Sequence, residues 1–407
     1  MEVVLTVIYM ILAFAFFKSL FLFSRRGKKL PPGPFQLPII GNLATLGDLP
    51  HQSLAKLADI YGPIMHLKMG CLDTIVISSP AIAQQVLQKQ DIIFSRRFIP
   101  DAIFACDHFK YSVAFLPVSP LWSNLRKIIH SNLFSFNKLD ANQHLRSSKV
   151  NDLIGYVKKC SQTGEAIDIG RAAFTTSLNL LSNTIFSKDM ADPSQDSSKE
   201  FKDLDIFVAG TDTTSSTVEW GMAELLRNSE TMVKAKAELD KVLGKGKILE
   251  EADITRLPYL QCIVRETLRL HPPIPFLLPR QIAEEAEVNG YTIPKNSQVL
   301  VNVWAIGRDQ SSWKNPLSFY PERFLDSDID LKGQDFELIP FGAGRRICPG
   351  MSLASRTVPV VLGSLINCFD WELEGKISAN ELGMDEKFGI TLGKLHPLCA
   401  LATSVPV

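Results

Sequence analysis

The 407-residue sequence has no net charge: 43 acidic side chains balance 43 basic ones. Nothing in that balance supports a nucleic-acid partner, and an apolar content of 46% excludes a disordered chain. No CxxC pair occurs among the seven cysteines, which stand at 71, 106, 160, 262, 348, 368 and 399. Their spacing excludes the usual zinc and iron–sulfur frameworks, and the odd, scattered count fits a reducing compartment better than a disulfide scaffold. Internal repeats are missing. Low complexity is confined to ADPSQDSSKE at 191–200, which reads as an exposed loop leading into a helix. No flavin or nicotinamide motif is found; in PFGAGRRICPG, Gly342 and Gly344 are followed by Ile347 where a dinucleotide loop needs its third glycine.

What is present begins with VVLTVIYMILAFAFFKSLFLF at 3–23, which carries Lys18 alone as a charge and is followed by the basic stretch SRRGKKL. The run is long enough to cross a hydrocarbon core of about 30 Å, and the basic residues behind it keep everything downstream in the cytosol. Residues 1–24 are therefore expected to be a membrane anchor. A cleaved signal peptide would carry a basic region near its start, where this sequence carries Glu2. Residues 25–34, ending in LPPGP, are expected to form a basic, Pro-stiffened hinge between membrane and body.

The body, 35–407, exceeds the length at which single cores usually stop growing, so a sizeable core is available. Helical patterns at 51–60 and 80–90 flank a β-like run at 64–78 that turns at Gly70. From about 120 to 270 the pattern is mostly helical, including 230–244, closed by Gly244, and 257–272, stopped by Pro272. Short β-like pieces follow, then a last helix over about 350–367. The fold class expected is mainly α with a small β region.

Four patterns carry chemistry. In the first, Cys348 stands between a glycine-rich approach and Pro-Gly, directly before an apolar helix. Helix N–H groups and the dipole favour a thiolate there, so Cys348 is poised as a metal ligand or nucleophile, and the glycines admit a flat group close to the backbone. Next, Glu266 and Arg269 share a helix face and can pair, as many helix residues do. Trp122 and Arg126, spaced by four, likewise share a face, where packing plus surface charge is the plainer reading. Last, AGTDTTSST at 209–217 crowds hydroxyls into a helix, although hydroxyls compete with the helix backbone.

FGAGRRICPG resembles the cysteine-loop signature of the cytochromes P-450, with Phe341, Gly344, Arg346, Cys348 and Gly350 on its positions and Gly342 among the residues that would meet the cofactor. The resemblance runs from LPPGP to LGKLHPL and implies a cytochrome P-450 fold carrying haem b (iron protoporphyrin IX). It makes Cys348 the axial thiolate on the metal and turns Arg346, Trp122, Arg126 and Arg280 towards the haem propionates. Glu266 and Arg269 would lock onto Arg323 of PERF behind the cofactor. AGTDTT matches the oxygen-activating turn of the helix that crosses the haem. There Gly210 leaves room for O2 and substrate, Asp212 and Thr213 relay protons, and the Thr213 hydroxyl opens a local kink.

By that resemblance the chain is a monooxygenase of the plant microsomal type similar to geraniol hydroxylases. It would act on a small lipophilic substrate such as a monoterpene alcohol, with electrons from a membrane-bound NADPH–cytochrome reductase. Its place would be the endoplasmic reticulum membrane, with the catalytic domain cytosolic. The segments 98–109, 272–279 and KFGITL at 387–392 would line the pocket. Full-length members of the family carry a block of lid helices, and the first half of the crossing helix, between KEFKDL and AGTDTT. Here the two meet near Leu204-Asp205, an internal truncation. That junction leaves a second reading, a haem-binding membrane protein without turnover.

Overall fold

The computed structural model describes Tyr9 and residues 29–105, 107–192 and 205–406. The apolar run at 3–23, Cys106, and Phe201 and Leu204 on the near side of the junction lie, Tyr9 apart, outside the described residues.

The hairpin expected around Gly70 is formed by β1 (Ile64–Met69) and β2 (Leu72–Ile77), and Gly70 takes φ +63° at the turn, a conformation open to glycine at little cost. Helices α1 (Pro50–Tyr61) and α2 (Pro80–Gln84) flank it, each opening on a proline whose missing N–H has no helical partner to lose. A π turn over Gln85–Lys89 extends α2. The helical middle comprises α3 (Asp101–Ala105), α4 (Pro120–Ile129), α5 (Phe136–Ala141), α6 (Gln143–Thr163), α7 (Ile169–Phe186), α8 (Asp205–Arg227), α9 (Ser229–Leu243) and α10 (Pro258–Leu270). After it come the short α11 (Val303–Ile306) and the long α12 (Met351–Cys368).

The strands are few and mostly short: β3 (Arg96–Arg97), β4 (Ile167–Asp168), β5 (Arg280–Gln281), β6 (Ala286–Val288), β7 (Tyr291–Ile293), β8 (Gln298–Val301), β9 (Phe369–Leu373), β10 (Glu386–Lys387), β11 (Gly393–Lys394) and β12 (Cys399–Ser404). Five of them build the main sheet in the order β1-β2-β8-β5-β3, with β2 and β8 parallel. Its far edge matters for the site, because β3 and β5 pair Arg97 with Arg280. The class is mainly α with a small β region, as the sequence pattern predicts.

The largest core gathers the apolar faces of α6, α8, α9, α10 and α12. Each fully buried aliphatic chain there contributes about 1.5–3 kcal/mol. At Gly221 three helices meet: a Cβ would stand 3.2 Å from Leu362 of α12 and 3.6 Å from Thr267 of α10. The same core holds α12, which among the described residues is the helix long and apolar enough to span a membrane, with 67% of it buried. On α10 the expected triad forms. Glu266, fully buried, accepts Arg269 Nε at 2.7 Å and Arg323 Nε at 3.0 Å.

The Pro-rich stretch does not hang free. Pro32 O accepts from His66 N at 2.8 Å, Lys29 O accepts from Thr292 N at 2.8 Å, and a Cβ on Gly33 would lie 2.0 Å from His66 O. Residues 29–34 are thus tied by backbone hydrogen bonds to β1 and to β7.

Candidate active site: the cysteine loop and its arginine cluster

The loop before α12 is closed by its own backbone: Cys348 N donates to Phe341 O at 2.9 Å and Ile347 N to Gly344 O at 3.1 Å. Gly342 and Gly344 take φ +71° and +67°, which a side chain would resist. Gly344 also presses on the π turn after α2, where a Cβ would fall 2.0 Å from Leu87 O. Arg345 clips the loop down through Asp91 at 2.7 Å. Phe341 packs against the main core.

Burial pushes the Cys348 thiol above its ordinary pKa, against the backbone N–H groups of Gly350 and Met351 and the charge of Arg126. The helix N-terminus therefore acts as expected but is outweighed by desolvation. A cation on the sulfur would reverse that balance, because it stabilises the thiolate directly.

Four guanidiniums gather beside the loop. Arg346 Nε donates to Ser95 O at 3.0 Å and Nη1 to Val113 O at 3.4 Å, while Nη2 donates to Leu116 O. Arg280 Nη1 reaches Phe94 O at 3.2 Å, and Arg97 reaches Leu278 O at 2.6 Å and Ala114 O at 3.2 Å. Arg126 lies over the Trp122 ring at 5.6 Å, with Arg346 over the same ring at 4.7 Å. Among the described residues none of these arginines is in an ion pair with a carboxylate. Burial, then mutual repulsion, brings Arg280 and Arg346 down to about 10 and takes Arg97 well below its ordinary value. A buried patch of like charge supplied only with carbonyl acceptors lacks an anion. Next to a lone thiol on a glycine-rich loop, this donor set fits haem: one thiolate for the iron and guanidiniums for two propionates.

Arg97 is the member that the sequence reading missed. Its signal was the dibasic Arg96-Arg97 after the apolar DIIFS, and only the β3–β5 pairing brings it to Arg280. The Trp122 indole N–H donates to Val113 O at 3.0 Å, so the ring serves as a platform for two arginines.

The hydroxyl row lies on α8. Thr211, Thr213, Thr214 and Thr217 each donate to the carbonyl four residues back, Thr213 to Ala209 O at 2.6 Å, and Ser215 donates to Asp212 O. Ser216 reaches out of the helix, to Leu392 O at 2.8 Å. The helix assignment of α8 continues through Thr213, whose hydroxyl bonds back to the carbonyl four residues earlier, the kind of contact that bends helices without ending them. At Gly210 the missing side chain makes room for Leu181 of α7, whose Cδ1 would stand 2.5 Å from a Cβ. Asp212 and Thr213 are half-buried. Leu353, in the first turn of α12, packs in one cluster with Leu181 and Phe207, which ties the cysteine-loop helix to the turn bearing Gly210.

The cytochrome P450 family model matches residues 31–205 and 202–392, two segments that meet at the junction. Geraniol 8-hydroxylase of Swertia mussotii is 53% identical over 475 aligned positions, covering 95% of this chain and 96% of that protein. Geraniol 8-hydroxylase of Catharanthus roseus is 49% identical over 493 positions, covering 100% and 99%. A zebrafish cytochrome P450 solved with progesterone shares the fold at TM-score 0.75 and 23% identity, covering 87% of this chain and 99% of that one. With matches along most of its length and a cysteine loop that fits the cofactor, the chain belongs to the cytochrome P450 family of haem-thiolate monooxygenases.

Proposed function

We propose that this chain hydroxylates a small lipophilic alcohol of the monoterpene class, such as geraniol, taking electrons from NADPH through a membrane-bound reductase. The intact cysteine loop with its uncompensated arginine cluster carries the proposal. Cys348 would hold the iron, and Arg97, Arg126, Arg280 and Arg346 the two propionates, with Trp122 stacked beneath two of the guanidiniums. When bound, haem supplies oxygen binding and O–O cleavage assisted by the thiolate. Asp212 and Thr213 would move protons to that face of the site: the Thr213 hydroxyl, its hydrogen on Ala209 O, accepts through its remaining lone pairs and can swing to donate. One oxygen atom of O2 enters a C–H bond and the other leaves as water, with two electrons and two protons consumed. The substrate class rests on the geraniol 8-hydroxylases that align with the chain and on the apolar segments 98–109, 272–279 and 387–392.

We place the chain on the endoplasmic reticulum membrane through residues 1–24, with the body in the cytosol, on the strength of the apolar run and the basic cluster behind it. The junction at 204–205 reads as an internal truncation that removes the lid. Three observations support this: the family model breaks there, the alignment to the Swertia protein spans 475 positions against a chain of 407, and apolar tips such as Ile390 are left 80% exposed. The intact loop favours an oxygenase over the inert haem protein.

The test is the carbon monoxide difference spectrum of the reduced, haem-loaded protein. A thiolate-type Soret band is expected, and its absence would sink the reading. NADPH-dependent conversion of geraniol with a reductase then separates an active enzyme from an inert haem protein.

A further inference from the structure

Glu386 is a buried carboxylate that the haem chemistry does not use. It lies at the base of a hairpin, where β10 and β11 pair Glu386 with Lys394 and Lys387 with Gly393, leaving residues 388–392 as the loop. Burial opposes its ionisation, but hydrogen bonds from His51, Trp304 and Gln52 outweigh burial and bring Glu386 down to about 2. The donors come from two directions: His51 Nε2 at 2.7 Å and Gln52 Nε2 at 2.7 Å from α1 meet one oxygen, and Trp304 Nε1 at 2.9 Å from α11 meets the other. Both oxygens are thus fixed, and with them the base of the hairpin.

His51 has a second task. Its ring stacks on Phe388, with centroids 5.7 Å apart and planes at 18°, while Trp304 meets it edge-on at 5.1 Å. Phe388 also meets Phe276 of the 272–279 segment edge-on, with ring centroids 6.0 Å apart. Leu392 closes the loop, donating its N–H to Pro273 O at 2.8 Å and accepting Ser216 Oγ of α8 at 2.8 Å. The loop is therefore suspended between α1, the 272–279 segment and the hydroxyl row, and it carries Phe388 and Ile390 38% and 80% exposed. A carboxylate bound by three donors is costly to bury, and its gain over an apolar side chain is directional.

We propose that Glu386, held by His51, Gln52 and Trp304, is a positioning residue for the hydroxylation, fixing the 388–392 loop so that Phe388 and Ile390 orient the lipophilic substrate. This rests on the reading that the loop faces substrate. Glu386→Gln is the sharp variant, because its NH2 must face either Trp304 N–H or the His51 and Gln52 donors. Trp304→Phe removes one donor, keeps a ring, and serves should the first variant fold poorly.

Hydrogen exchange at Leu392 and Leu395 should speed up by about tenfold in Glu386→Gln, and less in Trp304→Phe, with α8 and α12 amides unchanged. In haem-loaded protein with an intact carbon monoxide band, the Kd for geraniol read from the Soret shift should rise by about tenfold and the ratio of hydroxylated products should change. Faster exchange with unchanged Kd and product ratio overturns the positioning role, as does unchanged exchange. A wild-type protein without the thiolate band refutes the haem reading separately, and exchange alone then decides whether Glu386 holds the loop.

Discussion

At the scale of single residues, the clearest signals are charges whose partners are missing or doubled. Arg126 is half-buried beside Cys348 and bound to Trp122 only by its face. Arg126→Met should therefore leave the haem-free protein as stable as before or more so, by up to about 1 kcal/mol, while haem retention falls. Urea unfolding of the haem-free protein and haem content per chain measure the two effects, and a loss of haem-free stability would contradict the account. Glu386 has the opposite sign. Its folded pKa, about 2, is below the ordinary carboxylate value of 4.5, so its contribution is fully present above that value and lost as pH falls through about 2. The stability gap between wild type and Glu386→Gln, on the order of 2 kcal/mol, should be flat above pH 6 and shrink on acidification. Chemical denaturation at a series of pH values checks the slope, and a gap that widened in acid would exclude an ionised Glu386.

Elements explain which of these residues the sequence could reveal. Helix α10 was legible because Glu266 and Arg269 stand one turn apart and PERF follows, and removing the shared carboxylate should be severe. Glu266→Ala strands Arg269 and Arg323 in the interior, at a cost of about 3–5 kcal/mol, visible as an early urea midpoint. Helix α8 was legible as a chemical stretch but not as a conformation. Periodicity shows a row of hydroxyls; it cannot show that five of them close on their own carbonyls while Ser216 reaches Leu392. Thr213→Ala removes only such a local bond, so the melting temperature should hold within about 1 °C while product formed per NADPH drops by about tenfold. A parallel fall in both would mark Thr213 as structural. Arg97 and the donors around Glu386 were hidden for a different reason. Both depend on pairings across long stretches of chain, β3 with β5 and α1 with β10, which no local period encodes.

For the whole molecule, the triad on α10, the crossing at Gly221 and the packing of Leu353 against Leu181 and Phe207 hold the bundle and the cysteine loop together. What the proposed truncation would change is cover. Phe104 is 50% exposed, Leu278 36%, Phe388 38% and Ile390 80%, all within the segments expected to face substrate. Exposed apolar side chains bind dye and aggregate, and a site left uncovered admits water where oxygen chemistry needs dryness. The chain as it stands should therefore consume NADPH mostly without hydroxylating, releasing peroxide or water. Inserting the aligned lid segment of the Swertia protein between Leu204 and Asp205 should raise geraniol product per NADPH on the order of tenfold and reduce binding of a hydrophobic dye. Both variants keep Cys348 and the arginine cluster, so their carbon monoxide spectra should match, and any gain in coupling then belongs to the lid. Equal coupling at equal haem content would mean that the open face is dry enough already, and that the hydroxyl row of α8, with the hairpin leaning on it, suffices to guard the site.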